Sequence, residues 1–169
     1  DSVKSRGLGD VYKRQGLNYG AEISLDSEIS DTVNMFLNLG ILETEIRKYQ
    51  SRPDLEGREQ AHAPNYSFSA GLSWEISNNL EFLLDINGKS DFYYSDSHNN
   101  SSDDYILTNM NLIYKKENIN LNFWVRNIFD EYYSLRGFYF GNEPPSFEDT
   151  LYERHGDPRN YGVTFRYDF

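Results

Sequence analysis

The stretch from Ser134 to Pro158 carries the residues of this chain best suited to holding a ligand. It is long for a loop without regular structure, and such loops are usually functional or disordered. Aromatic rings can stack on a bound molecule, and arginines can pair with its anionic groups. A packed lid that touches no ligand is the alternative. The predicted ligand-binding residues are Arg136, Tyr139, Phe140, Asn142, Glu143, Phe147, Tyr152, Arg154 and His155.

The sequence shows no pattern typical of catalysis or metal binding. His62, His98 and His155 are scattered over three loops without the spacing of metal ligands. The absence of cysteine excludes disulfides, cysteine-ligated zinc and thiol nucleophiles. No nucleophile has a base partner, and no glycine-rich phosphate loop is present. We therefore predict no catalytic residues, no metal, no cofactor and no enzyme activity.

Charge and composition exclude one class of partner and point to another. The formal net charge of −11 argues against nucleic-acid binding, which needs clustered lysine and arginine. Only 38% of residues are hydrophobic, yet 16% are aromatic. A barrel strand crosses a membrane with about 9–11 residues and shows only alternate ones to lipid, so the mean hydropathy of −0.73 is compatible with a membrane barrel.

Hydrophobic residues alternate with polar ones along seven segments, which is the pattern of β-strands. One face of each segment is apolar and the other carries Asn, Ser, Gly and charged residues. The segments are Leu17–Asp26, Val33–Ile41, Ser67–Ile76, Leu80–Asn87, Tyr105–Tyr114, Ile119–Arg126 and Tyr161–Phe169. We expect the charged residues of the polar face to form an internal network.

The connections between these segments alternate between short turns and long loops. In chain order they are the turn near Ser30, the loop 50–64, the turn near Asn78, the loop 95–103, the turn near Glu117 and the loop 134–158. Outer-membrane barrels have short turns on one side and long loops on the other. A soluble β-sandwich, which lacks this strict alternation, is the alternative.

Aromatic residues near both ends of the segments fit the two interfacial girdles of a barrel, although aromatic pairing in an ordinary sheet would produce a similar pattern. The predicted long-loop girdle contains Tyr94, Tyr105, Tyr132, Tyr133 and Tyr161. The predicted short-turn girdle contains Trp74, Ile76, Tyr114, Tyr167 and Phe169.

Two motifs near the end of the chain resemble TonB-dependent receptors. The run 126–133, with Asn127, Phe129, Asp130 and Tyr132, is similar to a signature on their penultimate strand. The run 156–169 resembles their closing strand, with Pro158 and Arg159 at its start and an aromatic terminus. The motifs cover about the last 45 residues.

The resemblance implies an all-β fold, an antiparallel transmembrane β-barrel, of which this fragment holds about the last seven of 22 strands. It implies that 16–169 is the C-terminal portion of the barrel. We expect 1–15, which resemble translated adaptor sequence, to be non-native or disordered, with a strand-connecting loop as the alternative. A signal peptide, a plug and a TonB box are expected upstream.

The resemblance also implies function, partners and location. We expect an integral protein of the bacterial outer membrane that takes up a scarce small-molecule ligand, a ferric siderophore or similar iron chelate first, with carbohydrate or cobalamin as alternatives. The expected partners are the TonB-ExbB-ExbD energy-coupling complex, the outer-membrane assembly machinery and the lipid bilayer. The predicted assembly signal is Tyr161, Val163, Phe165, Tyr167 and Phe169. A passive porin-like channel and an outer-membrane barrel hydrolase are the other candidates.

Overall fold

The computed structural model of the protein describes residues 14–169, and it confirms the all-β prediction. The predicted domain boundary at residue 16 falls inside the first strand, and residues 1–13 of the predicted non-native segment lie outside the described residues. The strands are β1 (Arg14–Ser30), β2 (Val33–Tyr49), β3 (Tyr66–Ser77), β4 (Leu80–Lys89), β5 (Tyr105–Lys116), β6 (Ile119–Arg126), β7 (Ser134–Phe140), β8 (Thr150–His155) and β9 (Asn160–Tyr167), with a single 3-10 turn at Pro53–Leu55.

Seven of these strands form one antiparallel sheet in the order β1-β2-β3-β4-β5-β6-β9. They correspond to the seven alternating segments of the sequence. Each strand pairs with the next strand along the chain until β6, which pairs with β9 because β7 and β8 form a separate two-stranded hairpin. The predicted seven antiparallel strands are confirmed.

The register sorts the residues of the sheet into an apolar face and a polar face. One apolar row crosses six strands through directly opposed residues: Val33, Trp74, Phe82, Leu112, Phe123 and Val163. A neighbouring polar row runs through Glu75, Glu81, Ile113, Asn122 and Thr164. Successive side chains of a strand point to opposite faces, so the period-two sequence pattern produces this separation.

The apolar face of the sheet is not covered by protein. Trp74 is 45% exposed, Phe123 48% and Val163 59%. In a β-sandwich a second sheet would bury such a face, but the other sheet of the described region is only the β7–β8 hairpin, whose contacts are with a loop. The sandwich alternative therefore does not fit.

The short turns all lie at one end of the sheet, as predicted. They separate consecutive antiparallel strands at Asp31-Thr32, Asn78-Asn79 and Glu117-Asn118. The end of the chain lies beside the last of them, because the amide of Asp168 donates to the carbonyl oxygen of Asn118 at 3.0 Å. The long loops consequently gather at the opposite end.

Within residues 14–169 no helix is both long and apolar enough to cross a membrane.

Candidate functional site

The hydrophobic core of the described residues lies at the loop end of the sheet, where the long loops pack on the last part of β2. The large hydrophobic side chains that are buried there are Ile46, Leu55, Phe92 and Tyr94, each at most 3% exposed. Tyr94 was predicted for the interfacial girdle and is wrong in that role, because loop residues enclose its ring. A loop region with its own core presents a defined surface, which is a condition for selective ligand binding.

Arg58 joins the loop after β2 to the loop after β4. Its guanidinium donates to three acceptors at 2.6–2.9 Å, the carbonyl oxygens of His98 and Ser95 and the side-chain oxygen of Asn99. The same group lies 4.5 Å from the ring centre of Tyr93. A planar fork of donors suits such a set of acceptors, so one side chain connects segments about 40 residues apart.

The predicted irregular loop 134–158 is wrong in one respect, because its two arms form the β7–β8 hairpin. Directly opposed Phe138 and Tyr152 stack with their ring centres 5.6 Å apart. Tyr139 is opposite Leu151 in the same ladder. Cross-strand pairs of aromatic and large apolar residues stabilise antiparallel hairpins, which accounts for the regular structure.

One face of this hairpin packs on the loop after β4. A Cβ atom on Gly137 would lie 2.5 Å from Cγ of Tyr94, so only glycine allows this approach. The Tyr94 hydroxyl donates to Oε1 of Glu153 at 2.5 Å. The ring of Tyr139 stacks on His98 with the centres 3.5 Å apart, and its hydroxyl donates to Oδ1 of Asn100. The hairpin is therefore held in place by both apolar and polar contacts.

The bond between Tyr94 and Glu153 shifts the pKa values of both groups. Burial, followed by the bond to Glu153, raises the pKa of Tyr94 to about 12. The bond from Tyr94 is the main cause that lowers the pKa of Glu153, and a bond from the Ser134 hydroxyl at 3.0 Å acts in the same direction. The pair therefore prefers a neutral phenol and an ionised carboxylate.

Replacing Glu153 with glutamine is expected to loosen the hairpin. A neutral amide is a weaker acceptor than a carboxylate for the Tyr94 and Ser134 hydroxyls, so proteolytic cleavage within 134–158 of the folded full-length protein should accelerate several-fold. Glu148→Gln is the matched control, because that side chain is exposed at the hairpin tip. Equal cleavage rates in the two variants would contradict the role of Glu153.

The same contact predicts a pH dependence of hairpin attachment. Because the folded-state pKa of Glu153 lies below its unfolded value, the contact contributes fully above a pH of about 4.3 and is lost as the pH falls through the folded pKa. Proteolysis of the wild-type hairpin with an acid-active protease should accelerate over that range. Glu153→Gln should lack this acceleration.

The structure brings the nine predicted ligand-binding residues into one hairpin but gives them different surroundings. Arg136, Phe140 and Arg154 are exposed on the strands. Tyr139 faces the loop after β4 and His155 stacks on Tyr132, with ring centres 4.4 Å apart. The tip holds Asn142, Glu143 and Phe147, and Tyr152 donates its hydroxyl to Glu143.

Three further residues of this region were not predicted from the sequence, namely Arg58, His98 and Phe138. Phe138 could have been included, because it alternates with Arg136 and Phe140 in a two-residue period. No local sequence signal identifies Arg58 or His98, because their partners lie in other segments of the chain.

Ser95, His98 and Asp149 come into a row that resembles part of a hydrolase site. The Ser95 hydroxyl lies 3.2 Å from Nδ1 of His98, and Nε2 of His98 lies 3.5 Å from Oδ2 of Asp149. The Ser95 oxygen also accepts from the amide of Ser97 at 3.1 Å, within one turn of the chain. The expectation that no nucleophile has a base partner is therefore wrong for Ser95. His98 also stacks on Tyr139, so the row is part of the packing between this loop and the hairpin.

The two motifs that resemble receptor signatures contact each other. Asn127 is 5% exposed, and its side chain accepts from the amide of Glu131 at 2.8 Å and donates to the carbonyl oxygens of Glu131 and Asp157 at 2.9 and 3.2 Å. Asp130 accepts from the amide of Arg159, the residue after Pro158, at 2.7 Å. The motifs therefore join the end of β6 to the start of β9. Phe129 and Tyr132 remain exposed at 73% and 75%.

Within residues 14–169 the predicted assembly residues lie along an edge strand of the sheet. Tyr161, Val163, Phe165 and Tyr167 alternate along β9 and are 45–78% exposed, and the Phe169 ring lies 5.1 Å from that of Tyr167. In the described part of the chain β9 pairs with β6 alone. Its other edge is available for pairing with another strand.

The polar face carries hydrogen bonds between neighbouring strands. Asn109 donates to Asp85 at 2.8 Å and accepts from the amide of Asn127 at 2.9 Å. Arg126 lies 3.8 Å from Asp85. Residues 14–169 contain no group of three or more His, Asp or Glu side chains arranged to hold a metal ion.

Solved receptor structures share this fold. The chain matches the ferric yersiniabactin uptake receptor FyuA from Yersinia pestis with a TM-score of 0.77 and 17% identity, over 92% of this chain and 24% of the receptor. For the siderophore receptor PiuA from Acinetobacter baumannii the TM-score is 0.76 and the identity 14%, over 91% of this chain and 22% of the receptor. For the ferric-catecholate import receptor Fiu from K12 E. coli the TM-score is 0.71 and the identity 15%, over 92% of this chain and 21% of the receptor.

These likenesses confirm the predicted resemblance to TonB-dependent receptors at the level of the fold. The chain spans less than a quarter of the length of each of these three receptors. No protein-family model matches the sequence.

Proposed function

We propose that this chain is part of the barrel of an outer-membrane receptor that takes up a scarce ligand, with a ferric siderophore or similar iron chelate as the first candidate. The observation that carries the proposal is the seven-stranded sheet with its uncovered apolar face, which matches siderophore receptors over nine-tenths of the chain. The low identities leave carbohydrate and cobalamin as alternative ligands.

The uncovered face supports a location in the outer membrane. A row of large apolar side chains facing water would be unfavourable at about 25 cal/mol per Å² of apolar surface, whereas lipid solvates the same row. β3, β4 and β5 contain 10–12 residues, close to the 9–11 or so that a tilted strand needs to cross a bilayer. The outer-membrane assembly machinery is the partner that this location implies.

The loop end of the sheet supports the receptor role. Three loops pack around one small core, and the hairpin places aromatic and cationic side chains at its surface. Such a surface can capture a ligand before passage through a barrel. Coupling to TonB, ExbB and ExbD follows from the proposed class and would act through the plug and TonB box expected upstream.

Uptake of radiolabelled iron tests the proposal in the source organism or in a host that lacks its own receptors. The full-length gene should restore uptake from at least one of ferric yersiniabactin, a ferric catecholate or ferric citrate, and deletion of tonB should abolish the gain. A passive channel would give uptake that is independent of tonB. Failure to restore uptake from any of the three iron sources would count against iron chelates as the ligand.

A further inference from the structure

The face of the β7–β8 hairpin that points away from the loop after β4 has a distinct composition. Gly137, Tyr139 and Glu153 make the contacts with that loop, so residues one position along each strand lie on the opposite face. We call this opposite face the open face, and it consists of Arg136, Phe138, Phe140, Thr150, Tyr152 and Arg154.

The open face holds two arginines directly opposed across the hairpin. Arg136 pairs with Arg154 in the ladder, which places their Cβ atoms about 5 Å apart. Both side chains are exposed, and neither guanidinium has an ion pair or hydrogen bond among residues 14–169. Like charges at opposed positions destabilise a hairpin, yet in a chain of net charge −11 no carboxylate among the described residues forms an ion pair with either arginine. An anion from outside would remove the repulsion.

Aromatic rings lie directly beside the arginine pair. The next opposed pair on the same face is Phe138 and Tyr152, whose rings stack at 22°. Phe138 is 51% exposed, and it lines a cleft of about 360 Å³ together with Arg136 and Arg154. The cleft therefore offers two guanidinium forks at one side and an aromatic surface at the other.

We propose that the open face binds an aromatic oxyanion, a ligand in which a carboxylate or phosphate is attached to a ring. The two guanidinium groups bind the oxyanion through paired N–H donors, and the ring of the ligand packs on Phe138. The inference rests on the proposed function, since it specifies the class of ligand that the receptor captures. It disfavours neutral carbohydrates at this surface.

Fluorine NMR of the purified full-length protein in a phosphorus-free detergent tests the site directly. The probes are para-fluorobenzoate and para-fluorophenyl phosphate, and para-fluorobenzyl alcohol is the uncharged comparison. The variant Arg136→Gln/Arg154→Gln should bind both anions about tenfold more weakly or worse, because it loses charge-assisted bonds from both side chains. Binding of the alcohol should not change.

A second variant separates geometry from charge. Arg136→Lys/Arg154→Lys keeps both charges but loses the planar forks, so its affinity for the anions should lie between wild type and the glutamine variant. Arg47→Gln/Lys48→Gln removes the same charge from exposed positions on β2 and should bind like wild type. Unchanged affinity in the Arg136→Gln/Arg154→Gln variant, or an equal loss in the β2 control, would overturn the proposal.

Measuring the phosphate that remains bound to the purified protein distinguishes a soluble ligand from a lipid headgroup. Protein that binds neither probe but loses bound phospholipid or lipopolysaccharide phosphate on Arg136→Gln/Arg154→Gln would have a lipid site, which overturns the proposal. Probe binding without iron uptake would refute iron uptake and leave the open-face site standing. Iron uptake without probe binding would refute the open-face site and leave the proposed iron uptake standing.

Discussion

Deletion of Phe169 is expected to lower the amount of folded protein in the outer membrane by about tenfold, while the protein that does assemble keeps its ligand affinity. The Phe169 side chain is fully exposed and lies outside the last strand, with Tyr167 as its aromatic contact. Its removal should therefore leave the sheet intact. An effect on assembly would come from losing an apolar group that the assembly machinery recognises, since burying one phenylalanine ring contributes about 1.5–3 kcal/mol.

Two neighbouring variants control for the Phe169 deletion. Phe169→Tyr retains the ring and should assemble at nearly the wild-type level. Asp168→Asn changes the adjacent side chain, which pairs with Arg166 at 2.8 Å, and should also assemble. The measurement is the amount of the heat-modifiable folded form in isolated outer membranes. Normal levels after deletion of Phe169 would refute its part in an assembly signal.

Replacement of Asn127 with alanine is expected to lower the free energy of unfolding by about 3–5 kcal/mol. The substitution removes three side-chain hydrogen bonds at a buried position, each of which contributes about 1 kcal/mol. It also places alanine at a φ of 50°, a left-handed conformation that costs a residue other than glycine or asparagine about 1–2 kcal/mol. The junction between β6 and β9 depends on this residue. The measurement is the urea midpoint of the full-length protein refolded into detergent micelles.

Asn127→Gly separates the two contributions to this loss. Glycine tolerates the positive φ, so the variant should lose the hydrogen bonds without the backbone penalty and be more stable than Asn127→Ala. Asn78→Ala removes an exposed asparagine side chain in a short turn and should change stability little. A loss for Asn127→Ala no larger than that for Asn78→Ala would contradict the bonding role of Asn127.

Much of the sheet could be predicted because its rules are local. Strand faces follow from a two-residue period, as at Trp74 and Phe82, which stand opposite each other on the apolar face. The short turns at Asn78 and Glu117 restrict consecutive strands to antiparallel neighbours. The order of the sheet then follows from the order of the chain, with the departure that β6 pairs with β9.

The candidate site could be predicted only in part. Residue types marked the stretch 134–158 as a binding region, and the structure places its nine candidates in one hairpin. They did not predict the strands within it or its two faces, because the turn residues and the bulge near Leu135 obscure the alternation. The contact between Asn127 and the segment before β9 could not be predicted from the motifs either, because a motif identifies residues but not their partners.

The sequence by itself determined the seven strands of the sheet, their two faces, the sidedness of the turns and the residue types at the loop end, because these depend on periodicity and spacing along the chain. Tertiary structure alone decided which loop residues meet. Arg58 binds carbonyl oxygens about 40 residues away, and Tyr94 binds Glu153 across 59 residues. Such contacts depend on how antiparallel strands bring distant loops to one end of the sheet and on the fit of individual side chains there, and neither leaves a periodic signal in the sequence.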